Sequence, residues 1–88
     1  MSKPVKQFRM GLVVAAVFDQ ESKNGTLYNV SLSRLYKQDD SDPEWQRSTS
    51  FGRDDMPLVM EVSRQAWTWI HETQQAERQS RREQSVTT

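Results

Sequence analysis

FRMGLVVAAVF, residues 8 to 18, decides how this 88-residue chain folds, because no other stretch is as long and apolar. Valine and phenylalanine favour a pleated backbone, and the centre of the run is apolar on both faces. It therefore reads as a strand, central in a sheet. Phe8, Met10, Leu12, Val14, Ala16 and Phe18 form one row of alternate positions, and Arg9, Gly11, Val13, Ala15 and Val17 the other. Gly11 marks a bend or a bulge. The polar run DQESKNG follows, and its Asn24-Gly25 pair suits a reversal. That gives a hairpin with a loop longer than two residues.

Outward from this hairpin, TLYNVSLSRLYK (26 to 37) is the second strand. Val30 and Leu32 share one face and Ser31 and Ser33 the other, until Arg34 and then Tyr36 interrupt the aliphatic row. Two readings are open: a frayed strand end, or a surface that meets something anionic and ring-bearing. A bulge near Ser33 would re-aim these side chains. QDDSDPE is an acidic, solvated reversal. WQRSTSF (45 to 51) is the third strand, with Trp45, Arg47, Thr49 and Phe51 on one face and Gln46, Ser48 and Ser50 on the other. A split in the first or second strand would create a fourth.

GRDD then opens a helix. Asp54 is a good N-cap, Asp55 lies near the positive end of the helix dipole, and Pro57 falls in the first turn. Leu58, Val59, Val62, Ala66, Trp69, Ile70 and Thr73 follow helical spacing and define the core face. The predicted fold is α+β: a curved antiparallel meander of three to four strands, followed by one C-terminal helix packed on one face. Residues 1–7 read as a flexible N-terminus, 8–74 as a single domain and 75–88 as a polar, disordered tail.

Composition limits the function. Cysteine is absent and histidine occurs once, which argues against disulfides, thiol catalysis and zinc. There is no Gly-rich phosphate loop and no nucleophile beside a base, so neither an enzyme nor a cofactor is expected. Asp39, Asp40, Asp42 and Glu44 lack the glycine and closing glutamate of an EF-hand. The nine-residue apolar run is too short for a membrane helix, and no signal peptide is recognisable, so a cytoplasmic location is expected. Formal net charge is zero, yet residues 1–37 carry +4, residues 38–61 carry −5 and the remainder +1. Mean hydropathy is −0.89, and a core this small is often supplemented by a second copy.

Two surfaces are candidates. Arg34, Tyr36, Lys37, Trp45, Arg47 and Arg53, with Arg9 on the first strand, interleave cations and rings beside the serines of strands two and three. Single-stranded nucleic acid is held in this way, by bases stacking on aromatics while basic groups follow phosphates. An ordinary solvated sheet face is the alternative. On the helix, Met60, Arg64, Trp67 and His71 lie opposite the core face. Trp67 is either core in a sandwiched helix or, with Met60 and Arg64, a dimer or partner surface.

The stretches NVSLSRLYK, EWQRSTSF and DDMPLVMEVSRQAWTWI resemble the single-stranded-DNA-binding transcriptional coactivators of the positive cofactor 4 type, and more loosely the Whirly proteins. They also look like small uncharacterised bacterial proteins sharing SRLYK…W…SFGRDD-P. The resemblance covers roughly residues 9 to 72. It implies a homodimer whose sheets form a channel for unpaired nucleic acid, with the helices at the subunit interface and Arg34, Tyr36, Lys37, Trp45 and Arg47 as contacts. The chain departs from that pattern in being neutral and in lacking a lysine-rich third strand.

Overall fold

Gly11 and Leu12 form a two-residue loop between two strands, where a bend within one strand was expected. β1 (Lys6–Met10) and β2 (Val13–Ser22) pair antiparallel, with Met10 opposite Val13. Gly11 has φ +61° and takes the first central position of the loop, where a type II′ hairpin turn requires glycine. The turn changes which rows share a face. Phe8 and Met10 join Val13, Ala15 and Val17, whereas Arg9 joins Val14 and Ala16. The ladder extends back to Val5, whose N–H donates to Val17 O at 2.8 Å, within the segment expected to be a flexible terminus.

The computed structural model describes residues 3–37, 39, 41 and 44–86, with side chains as far as Ser80. β3 (Gly25–Tyr36) pairs antiparallel with β2, with Ser22 opposite Gly25, so that loop also has two residues rather than more. Ser22 Oγ donates to Gly25 O (2.7 Å) and accepts from Asn24 N–H (3.3 Å), which ties the reversal to its own backbone. The β2–β3 register continues without a break to Val13 opposite Arg34, so there is no bulge at Ser33. Gln38, Asp40, Asp42 and Pro43 of the acidic reversal lie outside the described residues.

β4 spans only Gln46–Ser48 and pairs with Arg34–Tyr36. It ends where the Ser48 hydroxyl accepts the Ser50 N–H at 3.0 Å, a local bond that competes with the ladder. The result is a four-stranded antiparallel sheet in chain order, β1-β2-β3-β4, followed by one C-terminal helix, an α+β arrangement.

A 3₁₀ turn, Arg53–Asp55, leads into α1 (Met56–Val86). The cap differs from the expected Asp54: Gly52 is the N-cap residue, and Asp55 Oδ2 accepts its N–H at 2.8 Å. The short 3₁₀ turn places the carboxylate of its third residue, not its second, back over the first amide. Pro57 lies in the first turn of α1, where a missing N–H costs little.

Val62 and Ala66 of α1 are buried against Val13, Ala15 and Val17 of β2. Phe8, Leu32, Phe51, Leu58 and Ile70 ring this cluster at partial exposure. Full burial of each valine contributes about 1.5–3 kcal/mol. α1 is about 46 Å long at 1.5 Å per residue, and it continues through 75–86, the stretch expected to be a disordered tail. Ala, Glu, Gln and Arg, all strong helix formers, dominate that stretch. Tyr28 anchors its start: its ring meets Trp69 edge-on (5.8 Å, 88°), and its hydroxyl donates to Glu77 Oε1 at 2.8 Å. The radius of gyration is 17.1 Å, against about 12 Å for a compact chain of this length, because the helix and hairpin are long.

Two outcomes follow from these contacts. Gly11→Ala forces a side chain into positive φ and lowers stability by about 1–2 kcal/mol in a urea titration. Burial, then the Glu77 hydrogen bond, pushes the Tyr28 phenol up to about 12 from its ordinary 10. The folded-state value is raised, so its contribution to stability is complete below pH 10 and disappears as pH rises towards 12. Tyrosinate absorbance shows this late step in the native chain, and Tyr28→Phe removes it.

Candidate nucleic-acid interface

With one helix on one face, the other face of the sheet carries no further helix or strand among the described residues. The register fixes its members: Gln7 and Arg9 on β1, Val14, Ala16, Phe18, Gln20 and Ser22 on β2, Leu27, Asn29, Ser31, Ser33 and Leu35 on β3, and Arg47 on β4. No carboxylate occurs among these paired positions. Asp19 and Glu21 alternate to the helix side of β2, in the row of Val17. Val14 and Ala16, at the centre of this face, are only 5% exposed.

Cations gather at the end of this face next to the Gly11 turn. Arg9 is exposed and donates from Nε to Gly11 O at 3.0 Å. Arg47 is exposed and stands opposite Leu35. Just beyond the paired ends of β3 and β4, Lys37 Nζ sits 4.8 Å above the Trp45 ring, and that ring is 53% exposed. Leu12 lies beside Leu35, which donates its N–H to Leu12 O at 2.8 Å. The site thus presents a solvent-facing indole under a cation, two further guanidiniums, and the short hydroxyl of Ser31, while Ser33 beside it is buried.

The structure separates residues that alternation had grouped. Arg34 is opposite Ser48 and Tyr36 opposite Gln46, so both lie on the helix-side face, while Arg47 lies on the free face. The expected row of Arg34, Tyr36, Trp45 and Arg47 is therefore corrected. A shift of one residue in β4 pairing exchanges its faces, and the loop that sets that register gave no turn signal. Ser48 and Gln46 leave the expected serine face for the same reason.

Arg34 is occupied within the fold. Its Nε lies 3.4 Å from Asp55 Oδ2 and donates to Ser50 O at 3.3 Å, and its guanidinium stands 5.9 Å from the Tyr36 ring centre. The Tyr36 hydroxyl donates to Gln46 Oε1 at 3.1 Å. These contacts join the end of β3 to the chain that crosses from β4 to the helix. Arg53 is exposed at the start of the 3₁₀ turn, away from the paired strands. Alternation missed Leu12 and Leu35 as neighbours of the cationic end. Reading Gly11 as a hairpin residue would have found Leu12.

On the outer side of α1, Met60 is 68% and Trp67 64% exposed, so the sandwiched-core reading of Trp67 does not apply within the chain. Trp67 stacks on His71 at 5.1 Å with nearly parallel rings. Arg64 grips Glu61 through Nη2 and Nε at 2.6 and 3.1 Å; together with Gln65 it holds that carboxyl down at about 2.

Among the described residues, no group of three or more His, Cys, Asp or Glu side chains is placed to hold a metal ion, and no helix is long and apolar enough to cross a membrane.

Replacing Arg34 tests its internal role. Arg34→Ala removes a charge-assisted contact between partly exposed groups and lowers the urea midpoint by the equivalent of about 1 kcal/mol. Compared with known proteins, the chain matches no family model, no curated protein and no solved structure.

Proposed function

We propose that this chain is a non-catalytic, cytoplasmic module that binds single-stranded nucleic acid, DNA in preference to RNA, on the helix-free face of its sheet. The observation that carries this reading is the absence of carboxylates from the paired positions of that face, combined with Arg9, Lys37, Arg47 and the exposed Trp45 at one end. A base stacks on the indole, and the three cations follow the phosphates around it. Ser31 allows close approach and donates to phosphate oxygens. Arg34 and Tyr36 act indirectly, by holding the β3–β4 end of the sheet. Duplex DNA fits less well, because its bases offer no exposed ring to Trp45.

Fluorescence anisotropy with a labelled oligothymidine tests the reading. Affinity falls with salt at a log–log slope of about −2, from three cations at about 0.7 each on a single strand. Trp45→Ala weakens binding roughly fivefold to a hundredfold, the range for one stacked base. Arg9→Ala with Arg47→Ala flattens the salt slope, whereas Arg34→Ala changes stability more than affinity. Absence of binding at low salt removes the proposal.

The exposure of Met60 and Trp67 supports a second reading, a protein-interaction module that uses the outer side of α1. On that reading Trp67→Ala abolishes association with the partner and leaves oligonucleotide binding unchanged.

A further inference from the structure

β3 has an open outer edge along most of its length. β4 pairs only with Arg34, Leu35 and Tyr36, so residues 25–33 have β2 on one side and, among the described residues, no strand on the other. The hydrogen bonds identify which groups are left over. Leu35 directs its N–H inward to Leu12 O, so the odd-numbered residues of β3 turn their backbone groups towards β2. The even-numbered Thr26, Tyr28, Val30 and Leu32 then turn their N–H and C=O groups outward. None of these outward groups has a partner among the described residues.

Natural sheets guard such edges with lysine, proline, bulges or very short strands. This edge has none of these. NGTLYNVSLS, residues 24–33, contains no charge and no proline, and its pairing with β2 is unbroken. Leu27 and Val30, on opposite faces of the same strand, are 54% and 41% exposed.

We infer that a second copy of this chain pairs here, β3 against β3, antiparallel about a two-fold axis. In a two-fold antiparallel contact residue i of one copy faces residue j of the other and j faces i, so like charges on this short strand would be gathered close together across the axis and repel. The absence of charge across residues 24–33 removes that repulsion, and the zero net charge removes it at longer range. Outward groups at every second residue are complementary to the same groups run in reverse. The pairing satisfies Thr26, Tyr28, Val30 and Leu32, covers Leu27 and Val30, and joins the two four-stranded sheets into one. Because the axis is perpendicular to the sheet, both helices lie on one side and both helix-free faces on the other.

The inference stands without the nucleic-acid reading, and its test uses no oligonucleotide. Sedimentation equilibrium of the full chain gives twice the monomer mass. Val30→Pro deletes an outward N–H and no bond to β2, so the mass halves while the circular dichroism of the sheet and helix persists. Val30→Lys, which keeps the N–H and adds a charge to the edge, also lowers the dimer fraction and serves if the proline variant misfolds. Met60→Ser with Trp67→Ser leaves the dimer intact. In native hydrogen exchange, the Tyr28 and Val30 amides exchange at least tenfold more slowly than unpaired amides. A monomer at every concentration, a dimer unchanged in both Val30 variants, loss of the dimer only in the helix variant, or fast exchange at Tyr28 and Val30 overturns the inference.

Discussion

The packing of α1 on β2 is the contact on which the other elements rest. Val13, Ala15 and Val17 meet Val62 and Ala66, and all five are buried. Their short side chains let the helix axis lie close to the strand, and larger residues then close in from the flanks. β1 and β3 are held by their ladders to β2. β4 is attached more weakly, by three paired positions and by Arg34, which reaches across to Asp55 at the helix start. That carboxylate also accepts the Gly52 amide, so one group serves both the sheet end and the helix cap. Loss of the central packing would release all of these together.

The same packing distributes charge unequally across the sheet. One face is committed to the helix and carries Lys6 and Arg34 beside Asp19 and Glu21, while Asp54, Asp55 and Glu61 follow at the helix start. The opposite face keeps Arg9 and Arg47 with serine, asparagine and glutamine. A neutral chain can therefore present a locally basic surface, and net charge alone is a poor guide to what such a surface attracts.

Much of this was legible in the residues. The helix core face, Pro57 in the first turn and the α+β order follow from helical spacing and propensity, which act locally. The strand faces were harder, because side-chain parity depends on how many residues each turn uses. Gly11 looked like an irregularity in an apolar run, although a glycine followed by leucine is also sufficient for a two-residue reversal. That single difference moved Arg9 to the free face. For β4 the register was set through the acidic loop, which has no compact turn signature, so Arg47 lies on the face opposite Arg34 instead of beside it. The tail was misjudged for another reason: a polar stretch without apolar spacing still forms helix when its residues are strong helix formers and Tyr28 holds its first turn to the sheet.

The strand order has a kinetic consequence. Every strand neighbours the one before it in the chain, and two of the three reversals use only two residues. Contacts of such short sequence separation close with little entropic cost, so the β1–β2–β3 unit can assemble from local encounters on the microsecond scale of isolated hairpins. Docking of α1 closes a far longer segment and fixes the core, so it costs more chain entropy than either two-residue hairpin. A substitution at Ala66 that slows refolding more than one in the Lys23–Asn24 loop would bear this order out; equal effects would contradict it.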